Sequence, residues 1–198
     1  MKININWFKR ILQIRYFKVP NAKVQGYTSR TIDGKHVLFL DWDMCSPEII
    51  YIDLKNLIDK GIISHAYIFA TYEEKDELGV VGNYHAICLD KYNFYEIINI
   101  MELTHCDTLH KDLAKKTRYR AWVLRFSGKG SRDEPKFVRF ITGENKNNRV
   151  QSYAHYKLIH LLYNIEQDKD FKFNFDENTK TFITYYNSAS KLTEEEIK

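Results

Sequence analysis

The sequence predicts an α+β domain whose central stretch runs strand, helix, strand, strand, helix, strand. Three observations carry that prediction. The run HVLFLDW at 36–42 is apolar almost throughout, as in a strand covered on both faces. Ser46-Pro47-Glu48 follows at once, offering an N-cap, a proline for the first helical position and an acid for the first turn. The same strand-then-helix pattern returns at 83–102, after an intervening strand at 65–71. This order is the split βαβ, ferredoxin-like or RRM-like arrangement, βαββαβ.

The remaining elements follow in chain order. Residues 1–30 form a basic N-terminal segment in which 3–18 are expected to be an amphipathic helix, with Trp7, Phe8, Ile11, Leu12 and Ile14 as the stripe that packs on the core. The RRM-like core is set at 36–142. Its first helix runs to Lys60 and stops at Gly61, a residue suited to the left-handed position after a helix. HAYIFAT at 65–71 is the second strand, EEKDELG a charged connection, and NYHAICLD at 83–90 the third strand. Asn93 caps the second helix, FYEIINIMEL, and Glu96 three residues on completes a capping box. YRAWVLRF at 119–126 is the fourth strand by its aromatic and β-branched content, and KFVRFIT at 136–142 is its added hairpin partner. A helix over 150–165, short strands at 171–175 and 180–186 and an acidic tail make up 150–198 of the same single domain.

Composition narrows the function classes. A chain of 198 residues with 44% hydrophobic and 28% charged residues can bury a full core, which excludes disorder as its main state. No apolar run approaches the roughly 20 residues of a membrane span. Lys9, Arg10 and Arg15 interrupt the first apolar residues, which argues against a secretory signal. Cys45, Cys88 and Cys106 form an odd set without CxxC spacing, so neither a disulfide framework nor a zinc knuckle is expected. The expected location is cytoplasmic, in the host cell if the source is viral, with no membrane partner. A net charge of +4 is compatible with a polyanion without identifying one. The 14 Tyr, 12 Phe and 3 Trp read mainly as core and surface, and secondarily as faces on which bases stack.

The predicted topology gathers polar residues that are far apart in sequence. Its first and third strands are antiparallel neighbours, so Asp41 and Asp43 at the end of one lie beside His85 at the start of the other. Strand alternation puts both carboxylates on one face with Trp42 opposite. Paired carboxylates are costly unless a cation joins them, and Mg²⁺ or Mn²⁺ suits carboxylate oxygens. With phosphates added, that arrangement serves phosphoryl or nucleotidyl transfer. The plainer alternative is that one acid caps the following turn while the other faces solvent. A basic group comprises Arg118, Arg120, Arg125, Lys129, Arg132, Lys136 and Arg139. The fourth strand is expected to border the first, so that its ends flank the acidic pair. Arg forks and the Ser127-Gly128-Lys129-Gly130 turn offer phosphate contacts, although no P-loop is present and, taken by itself, SGKG reads first as an ordinary solvated hairpin turn with Gly at positive φ.

LFLDWD, NYHAI, an acid after the second helix, and the Arg-rich strand with its glycine turn together resemble the archaeo-eukaryotic primase superfamily, which includes viral and plasmid primase-polymerases. The resemblance covers residues 36–142. It implies Asp41 and Asp43 as metal ligands and His85 as a contact to nucleotide phosphate. It implies a third acidic ligand, Asp107 of HCDTLH, with Asp90 of CLD as the other choice. Arg125 and Lys129 would then contact the triphosphate, and Arg118, Arg120, Arg132 and Lys136 the nucleic acid. The implied activity is template-directed nucleotidyl transfer by a DNA primase or primase-polymerase with two Mg²⁺ or Mn²⁺ ions. Its partners would be a single-stranded DNA template, nucleoside triphosphates, and a replication helicase or accessory domain on another chain. Asn83 departs from the family's usual Ser, and no zinc-binding Cys/His cluster is present. The competing reading is a noncatalytic RRM-like protein for single-stranded nucleic-acid binding or replication initiation, although RNP spacing is absent. A metal-dependent nuclease ranks lowest: the Glu134-Pro135-Lys136 match is short, no His-hydrophobic-His motif occurs, and Tyr185-Tyr186 suits a strand.

Overall fold

The computed structural model describes residues 2–7, 10–15, 24–76, 79–116, 122–128, 133–143, 148–166, 171–176 and 183–186. Within them the chain is mixed α+β, with antiparallel sheets and four helices. None of the helices is long and apolar enough to cross a membrane.

The main sheet holds β4 (His36–Cys45), β5 (His65–Asp76), β6 (Gly79–Tyr92) and β8 (Lys136–Thr142) in the order β4-β6-β5-β8. Helix α1 (Pro47–Asp59) joins β4 to β5, and α2 (Phe94–Glu102) follows β6. The local signals behave as expected. Pro47 opens α1, Gly61 beyond its end has φ +65°, and the Glu96 carboxylate accepts the Asn93 N–H at 2.7 Å.

α1 buries Ile50, Leu54, Leu57 and Ile58 and reaches the Trp42 side of β4, where the indole Nε1–H donates to Asp53. The opposite face carries Phe39, Tyr67 and Phe69, aligned through Ile87 and His85 of β6. Helix α4 (Tyr153–Tyr163) covers it: His155 meets Phe39, His160 meets Tyr67, and Tyr163 lies 4.4 Å from Phe69. Phe171 and Phe173 close over His65 and Phe140. Tyr67 and Phe69 are each 1% exposed, so these sheet aromatics belong to the core and offer no face for stacking bases.

Five expectations need correction. Residues 171–175, expected as a short strand, form only an isolated bridge between Phe175 and Gln151. The segment expected as a helix over 3–18 instead forms two antiparallel strands, β1 (Lys2–Trp7) and β2 (Arg10–Arg15). The alternation of Lys2, Asn4 and Asn6 with Ile3, Ile5 and Trp7 has period two, and β-branched isoleucines reinforce it. EEKDELG is mostly strand, since Glu73 to Asp76 pair with Gly82 to Gly79. Charged residues suit this stretch because the hairpin stands exposed beyond the covered sheet. The fourth strand, seen as β7 (Val123–Arg125) among the described residues, pairs with β3 (Val24–Thr28) in a separate sheet of order β7-β3-β9, where β9 is Ile183–Tyr186. Ser29 joins the two sheets: its N–H donates to Trp122 O, and its carbonyl accepts the Val37 N–H. Finally, β8 pairs with β5, whose free edge it covers, and is not the hairpin partner of β7. A helix the sequence reading passed over, α3 (Thr108–Lys116), follows the expected third acid.

Candidate active site at the end of strand β4

Asp41 and His85 are paired across β4 and β6, and His85 Nε2 lies 3.3 Å from Asp41 Oδ1. The ladder then breaks. A bulge between Trp42 and Cys45 leaves Asp43 and Met44 out of register, with Met44 at φ +47° and its N–H donating to Asn83 Oδ1 at 2.8 Å. Asp43 is exposed, whereas the Asp41 side chain is 24% exposed.

The segment after α2 folds back onto this strand end. Asp53, buried on α1, accepts the Trp42 indole N–H and the His105 backbone N–H on one oxygen, and faces the His105 ring with the other at 2.9 Å. Two residues on, the Asp107 N–H donates to Asp41 O at 2.7 Å. The Asp107 carboxylate accepts the Leu109 N–H at 3.0 Å and so caps α3. That helix carries His110, whose Nδ1 lies 4.0 Å from Asp41 Oδ2. Two imidazoles therefore flank one carboxylate. Each is buried and keeps one ring nitrogen, His85 Nδ1 and His110 Nε2, without a hydrogen-bond partner among the described residues.

Arg125 enters from β7. It is buried, and its Nη1 donates to the carbonyls of both Ser127 and Asp133. Electrostatics tie these groups together. Burial pushes the Asp41 carboxyl up to about 6; Asp43 and Asp107 add to the rise, while His110 and Arg125 oppose it. Burial, aided by Arg125, takes the His85 imidazole down to about 3. Burial also lowers His110, against the pull of Asp41. A half-buried carboxylate made more basic first by burial and then by two neighbouring acids, beside two imidazoles of lowered basicity, is a place that a divalent cation would relieve.

Other candidate residues lie elsewhere. Lys136 is exposed on β8, three strands from β4, or ~14 Å away at the usual strand spacing. Asp90 is five residues along β6 from His85, ~17 Å at strand rise, so it stands apart from Asp41. It takes hydrogen bonds from Ser64 N–H, Ser64 Oγ, Tyr92 OH and Gln151 Nε2. His65, Cys88 and Asp90 are the one trio among the described residues whose metal-ligating atoms lie within 4.8 Å of one another; Asp41, Asp43 and Asp107 are not so closely gathered. Yet His65 Nε2 accepts the Leu89 N–H and Nδ1 meets Ser64 Oγ, so that trio is a satisfied hydrogen-bond network. Arg118, Arg120, Lys129 and Arg132 lie outside the described residues.

His110 and Asp53 were missed from sequence, and Asn83 was noticed only as a departure from a motif. A signal for His110 existed: an N-cap at Asp107 places it in the first turn of the helix that follows. No family model, curated protein or solved structure matches the chain.

Proposed function

We propose that the chain is a template-directed nucleotidyltransferase of the primase-polymerase kind, working at Asp41 and Asp43. The observation that carries this reading is the Asp41–His85 pair across β4 and β6, with Asp43 two residues on and buried Arg125 within electrostatic reach. The order β4-β6-β5, with α1 and α2 in the expected connections, supports an RRM-like core.

In the proposed reaction the 3′-oxygen of a primer bonds to the α-phosphorus of a nucleoside triphosphate. The bond to the bridging α–β oxygen breaks, pyrophosphate leaves, and the hydroxyl proton passes to water. Mg²⁺ or Mn²⁺ held by Asp41 and Asp43 would supply charge neutralisation and a more acidic hydroxyl. His85 orients the Asp41 carboxylate, and Arg125 contributes fixed positive charge where the phosphates' charge builds up. Single-stranded DNA is the proposed template; a helicase or accessory domain on another chain is the proposed partner.

A second reading, a noncatalytic nucleic-acid-binding module, is favoured by one observation: the Asp107 carboxylate already caps α3. The test is incorporation of labelled nucleotide on single-stranded DNA with Mg²⁺ or Mn²⁺, comparing wild type with Asp41→Ala/Asp43→Ala. Metal-dependent product lost in the double variant supports transfer. Template binding without product under either metal supports the binding module.

A further inference from the structure

Asn83 is buried on β6 between two irregularities of the sheet. On one side β4 is bulged between Trp42 and Cys45; on the other, β5 is shifted between Ala70 and Tyr72. Asn83 bonds to both. Its Oδ1 accepts the Met44 N–H at 2.8 Å, and its carbonyl accepts the Thr71 hydroxyl at 3.2 Å. The strands are tightly apposed at the same level, because a Cβ added to Gly82 would lie 2.3 Å from Tyr72 O.

We propose that Asn83 is a positioning residue for Asp43, fixing where the second carboxylate stands relative to Asp41. Met44 has φ +47°, a left-handed conformation that residues with a Cβ disfavour, so something must hold it there. The Asn83 oxygen does so by taking the Met44 N–H, which lies out of register with β6. The chain therefore turns immediately after Asp43, leaving that carboxylate exposed at the rim while Asp41 stays beside His85. Removing the acceptor frees Met44 to return to extended backbone, which re-aims Asp43. Thr71 serves as the internal control: it bonds the same residue from the other strand, through the backbone carbonyl and not through the Oδ1 that holds Met44.

The inference rests on the proposed cation site at Asp41 and Asp43, and the test separates the two. Mn²⁺ binding is measured by electron paramagnetic resonance at a temperature where every variant is folded. Wild type, Asp43→Ala, Asn83→Ala, Asn83→Asp and Thr71→Val are compared. The expected result is Mn²⁺ binding by wild type, weakened about 10- to 100-fold in Asn83→Ala, as for other partners that orient a ligand, and retained in Thr71→Val. Asn83→Asp keeps the acceptor oxygen and should retain binding. Asn83→Leu, similar in volume but lacking the acceptor, replaces Asn83→Ala should that variant fail to fold. If wild type binds no Mn²⁺, the cation site itself is overturned, and this inference with it. If wild type binds, Asp43→Ala does not, and Asn83→Ala binds like wild type, the positioning role alone is overturned.

Discussion

The backbone N–H of Asp107 donates to the carbonyl of Asp41 across 2.7 Å, closing the segment after α2 onto the end of β4. One hydrogen bond thus brings a third carboxylate, after Asp41 and Asp43, and, through α3, a second imidazole to the Asp41 centre. Asp53 holds that closure from behind, linking Trp42 of β4 to His105.

Asp53→Ala should therefore destabilise the fold and disturb the site together. The substitution leaves the Trp42 indole N–H and the His105 backbone N–H without their acceptor, which at ~1–3 kcal/mol for each unsatisfied donor predicts a loss of about 2–6 kcal/mol. Urea unfolding measures it. A change below about 0.5 kcal/mol, the range of ordinary surface substitutions, would remove Asp53 from this role.

Acid should unfold the protein through its buried histidines. Burial lowers His155 from 6.5 to about 4, and it lowers His36 to about 4 with Arg30 adding to the effect. Each stays neutral in the fold over a range where the unfolded chain takes up a proton. Their contribution is complete above pH 6.5 and is lost as pH falls from 6.5 towards about 4. At 1.36 kcal/mol for each pH unit of that gap, each contributes about 3 kcal/mol at most. His155→Gln, with amide groups in place of its bonds to Ser152 Oγ and Thr28 O, should flatten the stability curve between those pH values. An unchanged slope would contradict the assignment.

The His65–Cys88–Asp90 cluster should behave as a hydrogen-bond network and not as a metal centre. Excess chelator is expected to leave the melting temperature unchanged. Asp90→Ala should lower stability by about 3 kcal/mol or more, because Ser64, Tyr92 and Gln151 lose a shared buried acceptor. A chelator-dependent fall in melting temperature, restored by added Zn²⁺, would reverse this reading.

The elements legible in the sequence are those fixed by short-range patterns. The continuous apolar run of β4, Pro47, Gly61 and the Asn93–Glu96 pair each specify an element within a few residues. From the order of those elements, the approach of Asp41 to His85 followed. What remained hidden depends on distant partners. Nothing near YRAWVLRF says that its strand will pair with VQGYT, about 100 residues earlier, because strand pairing is decided by competition among edges. The N-terminal hairpin was hidden differently: its isoleucines fit a helical stripe as well as an alternating one. Asn83 was legible as a departure from a motif, but its bond to Met44 follows from a bulge that no local pattern announces.

Asp41 is proposed to serve nucleotidyl transfer and not only the fold. The most direct test of that role measures nucleotide incorporation and template binding together, for wild type and Asp41→Asn, on one single-stranded DNA with Mn²⁺. The expected result is incorporation by wild type, its loss in Asp41→Asn, and nearly equal template binding by both. Equal incorporation by Asp41→Asn, or none by wild type under either Mn²⁺ or Mg²⁺ while template still binds, would contradict that role.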